Sequence, residues 1–416
     1  MNIKIIIQTI LARFVILALN FGLMIFTVKI WGSEGKGIIS LLIADLSFVI
    51  FVTNVFAGGS VSYFASRFRI GQIMLYAYGW SVAAGIIIPV CISFFRDSGY
   101  LFYLILLSVS SALLSANINM FIGRDEIRLF NRYTILQLAL HFIFIAGIIY
   151  LLQIFSVEGY FIAQIIVSFL LFASSSLYLW RNAKWKDIKR IRPLAKAMFT
   201  YGWKTQLSSF LQFLNNRISY YVLEFFKGVS SVGIYSVGVA FSEAIWSLSR
   251  SLGVVLYAKL LNSDGQENAV SSTKASLKIG FIFSSVFAVA LLLIPANMYV
   301  YIFGSEFYRT KQIILLFAPG IIAVALGHIV GNYFSAVNKL RILNVKSLLG
   351  LFFTVPALLF VVPRWGILGA AAVASCSYIL STGVLLWTFY QETHLQLSDF
   401  FITRSEVKAL LQKIRG

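Results

Sequence analysis

Apolar stretches long enough to cross a bilayer recur along this chain from its first residues to about Gln391. In lipid, every backbone N–H and C=O must find its partner within the fold, which leaves only helices or closed barrels. Runs of about 20 apolar residues suit helices; barrel strands need only about ten. Twelve runs are separable, at roughly 5–28, 38–58, 72–95, 100–122, 133–153, 157–180, 199–224, 233–261, 274–303, 310–336, 342–362 and 367–391. The chain is 59% hydrophobic and 12% charged, which agrees with a polytopic membrane protein. The expected class is therefore an all-α integral membrane protein of about 12 transmembrane helices. The start, Met1-Asn-Ile-Lys4 and then apolar residues, has the outline of a signal peptide. No suitable small-residue cleavage site follows and the run is of spanning length, so it reads as the first helix.

The connections are short and no soluble domain is inserted. The organisation reads as an N-terminal lobe over 1–180, a basic linker over 181–198, a C-terminal lobe over 199–391 and a polar tail over 392–416. The net charge of +19 raises the question of nucleic acid, but the basic residues fall in alternate loops. Arg67, Arg69, Arg124, Arg128 and Arg132 lie on the side of the N-terminus, as do the cluster RNAKWKDIKRIRPLAK and Lys339, Arg341 and Lys346. The opposite side carries few, among them Lys29, Arg96, Lys227 and Arg364. This is the positive-inside pattern, with both termini and the linker cytoplasmic and no nucleic-acid partner. The cluster also suits contact with anionic membrane lipids.

The chain repeats itself. Gly32-Ser-Glu-Gly-Lys-Gly37-Ile38-Ile-Ser40 matches Gly228-Val-Ser-Ser-Val-Gly233-Ile234-Tyr-Ser236, 196 residues on, and the same offset carries Thr9 to Thr205 and Asn20 to Asn216. Phe121, Arg128 and Asn131 match Phe334, Arg341 and Asn344 at an offset of 213. Two six-helix lobes of the same orientation follow, because six crossings return the chain to its starting side. A central cavity between parallel repeats is the expected architecture.

Residues 201–224 are unusually polar for a membrane span. On a helix, Thr205, Ser208, Ser209, Gln212, Asn216 and Ser219 fall within an arc of about 100°, with Leu207, Leu211, Leu214 and Ile218 opposite. Such a stripe suits a water-filled lumen, or hydrogen bonding between packed helices. In the first span Thr9, Arg13 and Asn20 share a face; in the second, Ser40, Ser47 and Asn54. Their repeat mates include Ser236, Glu243 and Arg250. Intramembrane ionisable groups point to function. Arg13 and Arg250 suit a phosphate, through the bidentate guanidinium. Lys204 suits the same anion or the cytoplasmic interface. Arg217 lies off the stripe, where a structural partner and a ligand are both open. Glu243, and less so Asp45, are candidates for proton or sodium coupling. His141 and His328 read as packing groups. No metal cluster, phosphate loop or cofactor motif is present, and Cys91 and Cys376 sit singly in apolar runs, so no enzyme is expected.

Three places resemble the polysaccharide flippases of the multidrug/oligosaccharidyl-lipid/polysaccharide exporter superfamily, of the O-antigen translocase type. Lys29-Ile-Trp-Gly-Ser-Glu-Gly-Lys-Gly37 is similar to the family's stretch after the first helix, with Lys29 for the usual Arg and Ser33 for the usual Pro. Asn216-Arg217-Ile-Ser219 followed by Gly233-Ile-Tyr-Ser236 resembles the pattern of its second half, with Ser219 in place of the common acidic residue. Val362-Pro363-Arg-Trp-Gly366-Ile-Leu-Gly369-Ala-Ala resembles the stretch between its last two helices. The resemblance implies a multi-pass protein of the bacterial inner membrane. It would move an undecaprenyl-diphosphate-linked oligosaccharide, such as an O-antigen repeat unit, to the periplasmic leaflet by alternating access. The diphosphate would meet Arg13 and Arg250, and the sugars Asn20, Asn54 and the Thr205–Ser219 stripe. Two alternatives stand beside it: a drug/cation antiporter of the same superfamily, and a membrane polysaccharide polymerase or ligase. The first needs free membrane carboxylates and the second an outer catalytic loop.

Overall fold

The computed structural model describes residues 3–96, 99–181, 192–261, 266–337 and 339–393. The middle of the basic linker and nearly all of the polar tail, with His394, lie outside the described residues. The described chain is helical throughout: α1 (Ile3–Ala57), α2 (Gly59–Phe64), α3 (Ile70–Ser93), α4 (Leu101–Gly123), α5 (Ile127–Tyr150) and α6 (Glu158–Trp180). Then follow α7 (Arg192–Lys227), α8 (Val229–Leu261), α9 (Gln266–Leu293), α10 (Ala296–Phe303), α11 (Thr310–Ala336) and α12 (Leu340–Thr393).

Two expected connections are single glycines rather than loops. α1 contains the first two expected spans and breaks only at Gly32 (φ 61°, ψ −159°). α12 contains the last two and breaks at Gly366 (φ 57°, ψ −133°). A side chain is almost never accepted in that region of backbone space, which costs about 1–3 kcal/mol for a residue other than glycine. Gly366→Ala should therefore destabilise the protein by about 1–2 kcal/mol, seen as a lower unfolding temperature of the detergent-solubilised protein, with helix content unchanged.

Nine described helices are long and apolar enough to span a bilayer, two of them the double-length α1 and α12. Counting each half of the bent helices, and adding the amphipathic α7, gives twelve. The ninth expected span is shorter than anticipated. Pro295 does not kink it but separates α9 from α10, because proline has no N–H to continue the ladder. Pro89, Pro319 and Pro356 do lie inside helices. Beside Pro319, the Gly320 N–H donates to Ser375 Oγ at 2.9 Å, so a neighbouring helix takes up a backbone group at the bend.

The chain divides into two compact units, Met1–Phe210 and Leu211–Gly416. The division falls inside α7, beyond the basic segment 181–198. The internal repeat is visible in backbone detail. Gly32 and Gly228, matched at the first offset, both take positive φ (61° and 81°). At the second offset, Gly366 (φ 57°) matches Gln153 (φ 55°). Glu126 N donates to the Phe121 carbonyl at 2.8 Å, and its mate Lys339 N donates to the Phe334 carbonyl, also at 2.8 Å. Trp31 Nε1 donates to the Phe155 carbonyl at 2.7 Å, and its mate Lys227 Nζ to the Pro363 carbonyl at 2.9 Å. In each unit, the residue before the first positive-φ glycine thus ties that corner to the connection between the fifth and sixth spans.

Within unit 1, α4 is the central helix, held by Asn117, whose amide reaches Ser175 Oγ (2.8 Å) and Ser176 Oγ (2.9 Å) on α6 while its Oδ1 accepts from Tyr78 on α3 (2.5 Å). Within unit 2 the corresponding helix is α11: 61% of its most apolar window is buried, against 22% for α9. Lipid offers apolar side chains as good an environment as protein does, so helices here associate through close packing and hydrogen bonds. Small residues on α11 let α12 approach. Gly320 faces Ser375, and Gly327 faces Thr382, whose hydroxyl donates to the Ala323 carbonyl at 3.0 Å.

Candidate functional site

The polar groups of unit 2 converge on the second half of α7. Asn215 is buried at 3% exposure. Its Oδ1 lies 2.7 Å from Thr354 Oγ1 and 3.2 Å from Ser377 Oγ, and those two hydroxyls are 2.7 Å apart. Gly350 makes room for this knot, since a Cβ there would come within 2.9 Å of Asn215 Nδ2. Asn215 lies just off the expected stripe, and it ties α7 to α12 as Lys227 does at the end of α7. The hydrogen-bonding role open to the stripe is thus filled by its neighbour.

Two residues further, Arg217 meets Glu243 of α8, Nη2 to Oε1, at 2.6 Å. Its Nη1 donates to Tyr220 Oη at 2.6 Å, and the guanidinium also lies 5.0 Å from the centre of that ring. These bonds use two of the five guanidinium N–H donors, so the group keeps capacity for an anion. The side chains are 21% and 35% exposed, so the pair is partly open. Tyr220 packs edge-on against Tyr235, and Tyr235 against Phe317 of α11. Ser219, 1% exposed, lies beside Tyr235.

A small cleft of about 20 Å³ opens in unit 2. Gln212 and Asn215 line it from α7, and Val324, Gly327 and His328 from α11. Lys346, Tyr378, Ser381 and Thr382 complete it from α12. Trp246 of α8 stands behind, in edge contact with Tyr378 (5.8 Å) and His328 (6.4 Å). Gln212 is turned toward Asn216, Nε2 to Oδ1, at 3.1 Å. The cleft therefore combines a cation, amides, hydroxyls and aromatic faces, a mixture that suits a hydroxyl-rich, anionic ligand.

The other candidates distribute as follows. In unit 1, Asp45 is buried and ion-paired to Arg96 at 2.6 Å, a partner expected on a loop. Asn54 accepts from Ser115 Oγ at 3.1 Å. Asn20, Lys204, Thr205 and Ser209 are exposed, with the Thr205 hydroxyl donating to its own helix at the Gly202 carbonyl, 2.9 Å away. The side chains of Arg13, Ser208 and Arg250 lie outside the described residues. His141 is a packing group as anticipated, with Nε2 3.2 Å from the Tyr160 carbonyl. Among the described residues no cluster of His, Cys, Asp and Glu is placed to hold a metal.

Sequence spacing passes over Asn215, Tyr220, Tyr235 and Tyr378, and it counts Lys346, inside the expected run 342–362, only as a topology charge. Lys346 lies inside α12, more than a turn past its start at Leu340. The expected run 342–362 already puts Lys346 on a helix; what spacing does not show is which helices meet it.

These helices define a multi-pass membrane protein built of two repeated units. Its fold is shared with solved transporters. A multidrug resistance MATE family transporter of the MOP superfamily, in an inward-facing conformation, matches 90% of this chain and 94% of its own at a TM-score of 0.73 and 13% identity. Lipid II flippase MurJ, inward closed, matches 96% of this chain and 89% of its own, with a TM-score of 0.68 and 16% identity. The MATE multidrug transporter DinF-BH matches at a TM-score of 0.66, 14% identity and 95% of both chains. Among curated proteins, capsular polysaccharide biosynthesis protein CapF of Staphylococcus aureus is 26% identical over 200 residues, 47% of this chain. The chain spans about half the length of that relative, 50% of it. No family model matches.

Proposed function

We propose that this chain is a flippase that carries a polyprenyl-diphosphate-linked oligosaccharide across a bacterial inner membrane, from the cytoplasmic to the periplasmic leaflet. The observation that carries this reading is the cationic, hydroxyl- and amide-rich wall of unit 2, where Arg217 and Lys346 stand among Gln212, Asn216, Ser381 and Tyr378. Dragging a charged, hydrated head group through hydrocarbon is the cost such a protein lowers, and donors of this kind replace its water. The likeness to lipid II flippase MurJ and the partial match to a capsular polysaccharide biosynthesis protein support a lipid-linked glycan as cargo. Arg13, Arg250 and Lys204 remain proposed partners of the diphosphate, and the Thr205–Ser219 stripe of the sugars. Both termini are proposed to be cytoplasmic, and the glycan is an O-antigen, capsule or related repeat unit.

The shared fold of the multidrug transporters keeps a drug/cation antiporter as the competing reading. Against it, the membrane carboxylates Asp45 and Glu243 each face an arginine. Glu243 stays the first proposed coupling residue, because its pair is partly exposed.

The test is the leaflet position of the lipid-linked repeat unit in cells lacking this protein. Cytoplasmic accumulation, cleared by the wild type and not by Arg250→Ala or Arg217→Ala at matched membrane levels, is the expected result. A deletion strain with all repeat units already periplasmic sinks the flippase reading.

A further inference from the structure

Lys346 has no hydrogen bond or ion pair among the described residues. It lines the unit 2 cleft all the same. So does Ser381, which is 8% exposed and whose Oγ is buried with no hydrogen-bond partner. Two donors, one from each half of the bent α12, thus line the same small space without a hydrogen-bond partner. Lys346 is half-buried, and an ammonium partly withdrawn from water without a partner is disfavoured, as is the buried Ser381 hydroxyl. Three other polar side chains of the cleft wall are matched. Asn215 is held by Thr354 and Ser377, Gln212 by Asn216, and Thr382 by the Ala323 carbonyl. Within that wall Lys346, Ser381 and the Tyr378 hydroxyl make no hydrogen bond among the described residues.

Only an acceptor can satisfy both groups, because a lysine ammonium donates and does not accept. The negative charge that would neutralise Lys346 does not come from Glu243, which is held at 2.6 Å by Arg217. We propose that the cleft is an oxyanion subsite: Lys346 Nζ and Ser381 Oγ bind a carboxylate or phosphate oxygen, with the Tyr378 ring as one wall. Within the flippase reading, on which the identity of the ligand rests, that oxyanion belongs to the cargo. It is either an acidic substituent on the sugar or the lipid's diphosphate. The cleft is small, so it takes one oxygen of the anionic group and not a sugar ring.

The experiment uses the full chain in nanodiscs of zwitterionic lipid, titrated by calorimetry with three probes: glucuronate, inorganic pyrophosphate and, as a neutral control, glucose. The wild type should bind at least one anionic probe and not glucose. Lys346→Met should weaken that binding by about tenfold or more, the loss expected for one charge-assisted contact. Lys346→Arg should retain it, and Ser381→Ala should weaken it by less than Lys346→Met. Preference for glucuronate assigns the site to an acidic sugar, and preference for pyrophosphate to the lipid diphosphate. The proposal is overturned if the wild type binds neither anion, or if Lys346→Met binds as the wild type does. Unfolding temperature and size-exclusion profile show whether the variants are folded, and Lys346→Arg guards against reading a packing defect as lost binding. Failure here leaves the leaflet assay untouched, and a failed leaflet assay leaves oxyanion binding measurable.

Discussion

On the proposed flippase reading, replacing Arg217 with alanine should abolish transport and destabilise unit 2 at once. The substitution leaves the Glu243 carboxylate without its partner at 2.6 Å and Tyr220 without its donor at the same distance. Breaking a fully buried pair costs about 3–5 kcal/mol, chiefly because the remaining charge stays desolvated. Glu243 is 35% exposed, so about 2 kcal/mol is the appropriate expectation. The pair can be separated from the transport role by a double-mutant cycle. Glu243→Gln alone should cost less, since the guanidinium keeps Tyr220. Arg217→Ala combined with Glu243→Gln should recover much of the lost stability, because the stranded charge is gone. Unfolding temperatures of the purified variants give the coupling, and the leaflet assay gives transport. Recovery of stability without recovery of transport places Arg217 in cargo handling. Recovery of both would reduce the pair to a structural tie.

Gly202→Ala should have the largest effect on folding itself. Gly202 lies on the first half of α7, in unit 1, against the end of α1. A Cβ there would overlap the backbone carbonyl of Val55. The neighbours leave no slack: Tyr201 stacks on Tyr63 with ring centres 4.3 Å apart, and Phe199 meets Phe56 at 6.1 Å. Overpacking a tight site costs about 1–3 kcal/mol or more, and here the obstacle is backbone rather than a movable side chain. A cost of about 3 kcal/mol is expected, read as a large fall in membrane yield and unfolding temperature. The matched control is Gly79→Ala on α3, where nothing lies within 4 Å of the added methyl. That change should be neutral or stabilising by up to about 1 kcal/mol, since alanine is the better helix former. Equal behaviour of the two variants would mean that α7 does not pack on α1 this closely.

Much of this architecture is legible in the amino-acid sequence. A membrane span is set by a property summed over about 20 residues, so single errors average out and all twelve runs reappear as helix. The repeat is legible for a related reason. Gly32 and Gly228 match because the same backbone turn is needed twice, and only glycine takes it without strain. Span ends are less secure, as Pro295 shows: a proline inside an apolar run marks a bend or a stop, and hydropathy does not distinguish them.

The polar site is legible only in part. An arc on one helix follows from 100° per residue, so the Thr205–Ser219 stripe and the candidacy of Glu243 and Arg217 can be read from spacing. Which of them pair cannot, because Arg217 and Glu243 come together through the crossing of α7 and α8 and not through any sequence interval. Asn215 is passed over for sitting one residue off the stripe, yet Gly350 brings α12 close enough for Thr354 and Ser377 to reach it. Lys346 is the sharpest case. Along the chain, it is one more positive charge near the end of a span. In the fold, α7, α11 and α12 close around it, and an ordinary topology signal becomes an unpaired cation in a cleft. Periodicity and hydropathy are local sums that the chain carries wherever it goes. Pairing and isolation depend on which helices meet, and only tertiary packing decides that.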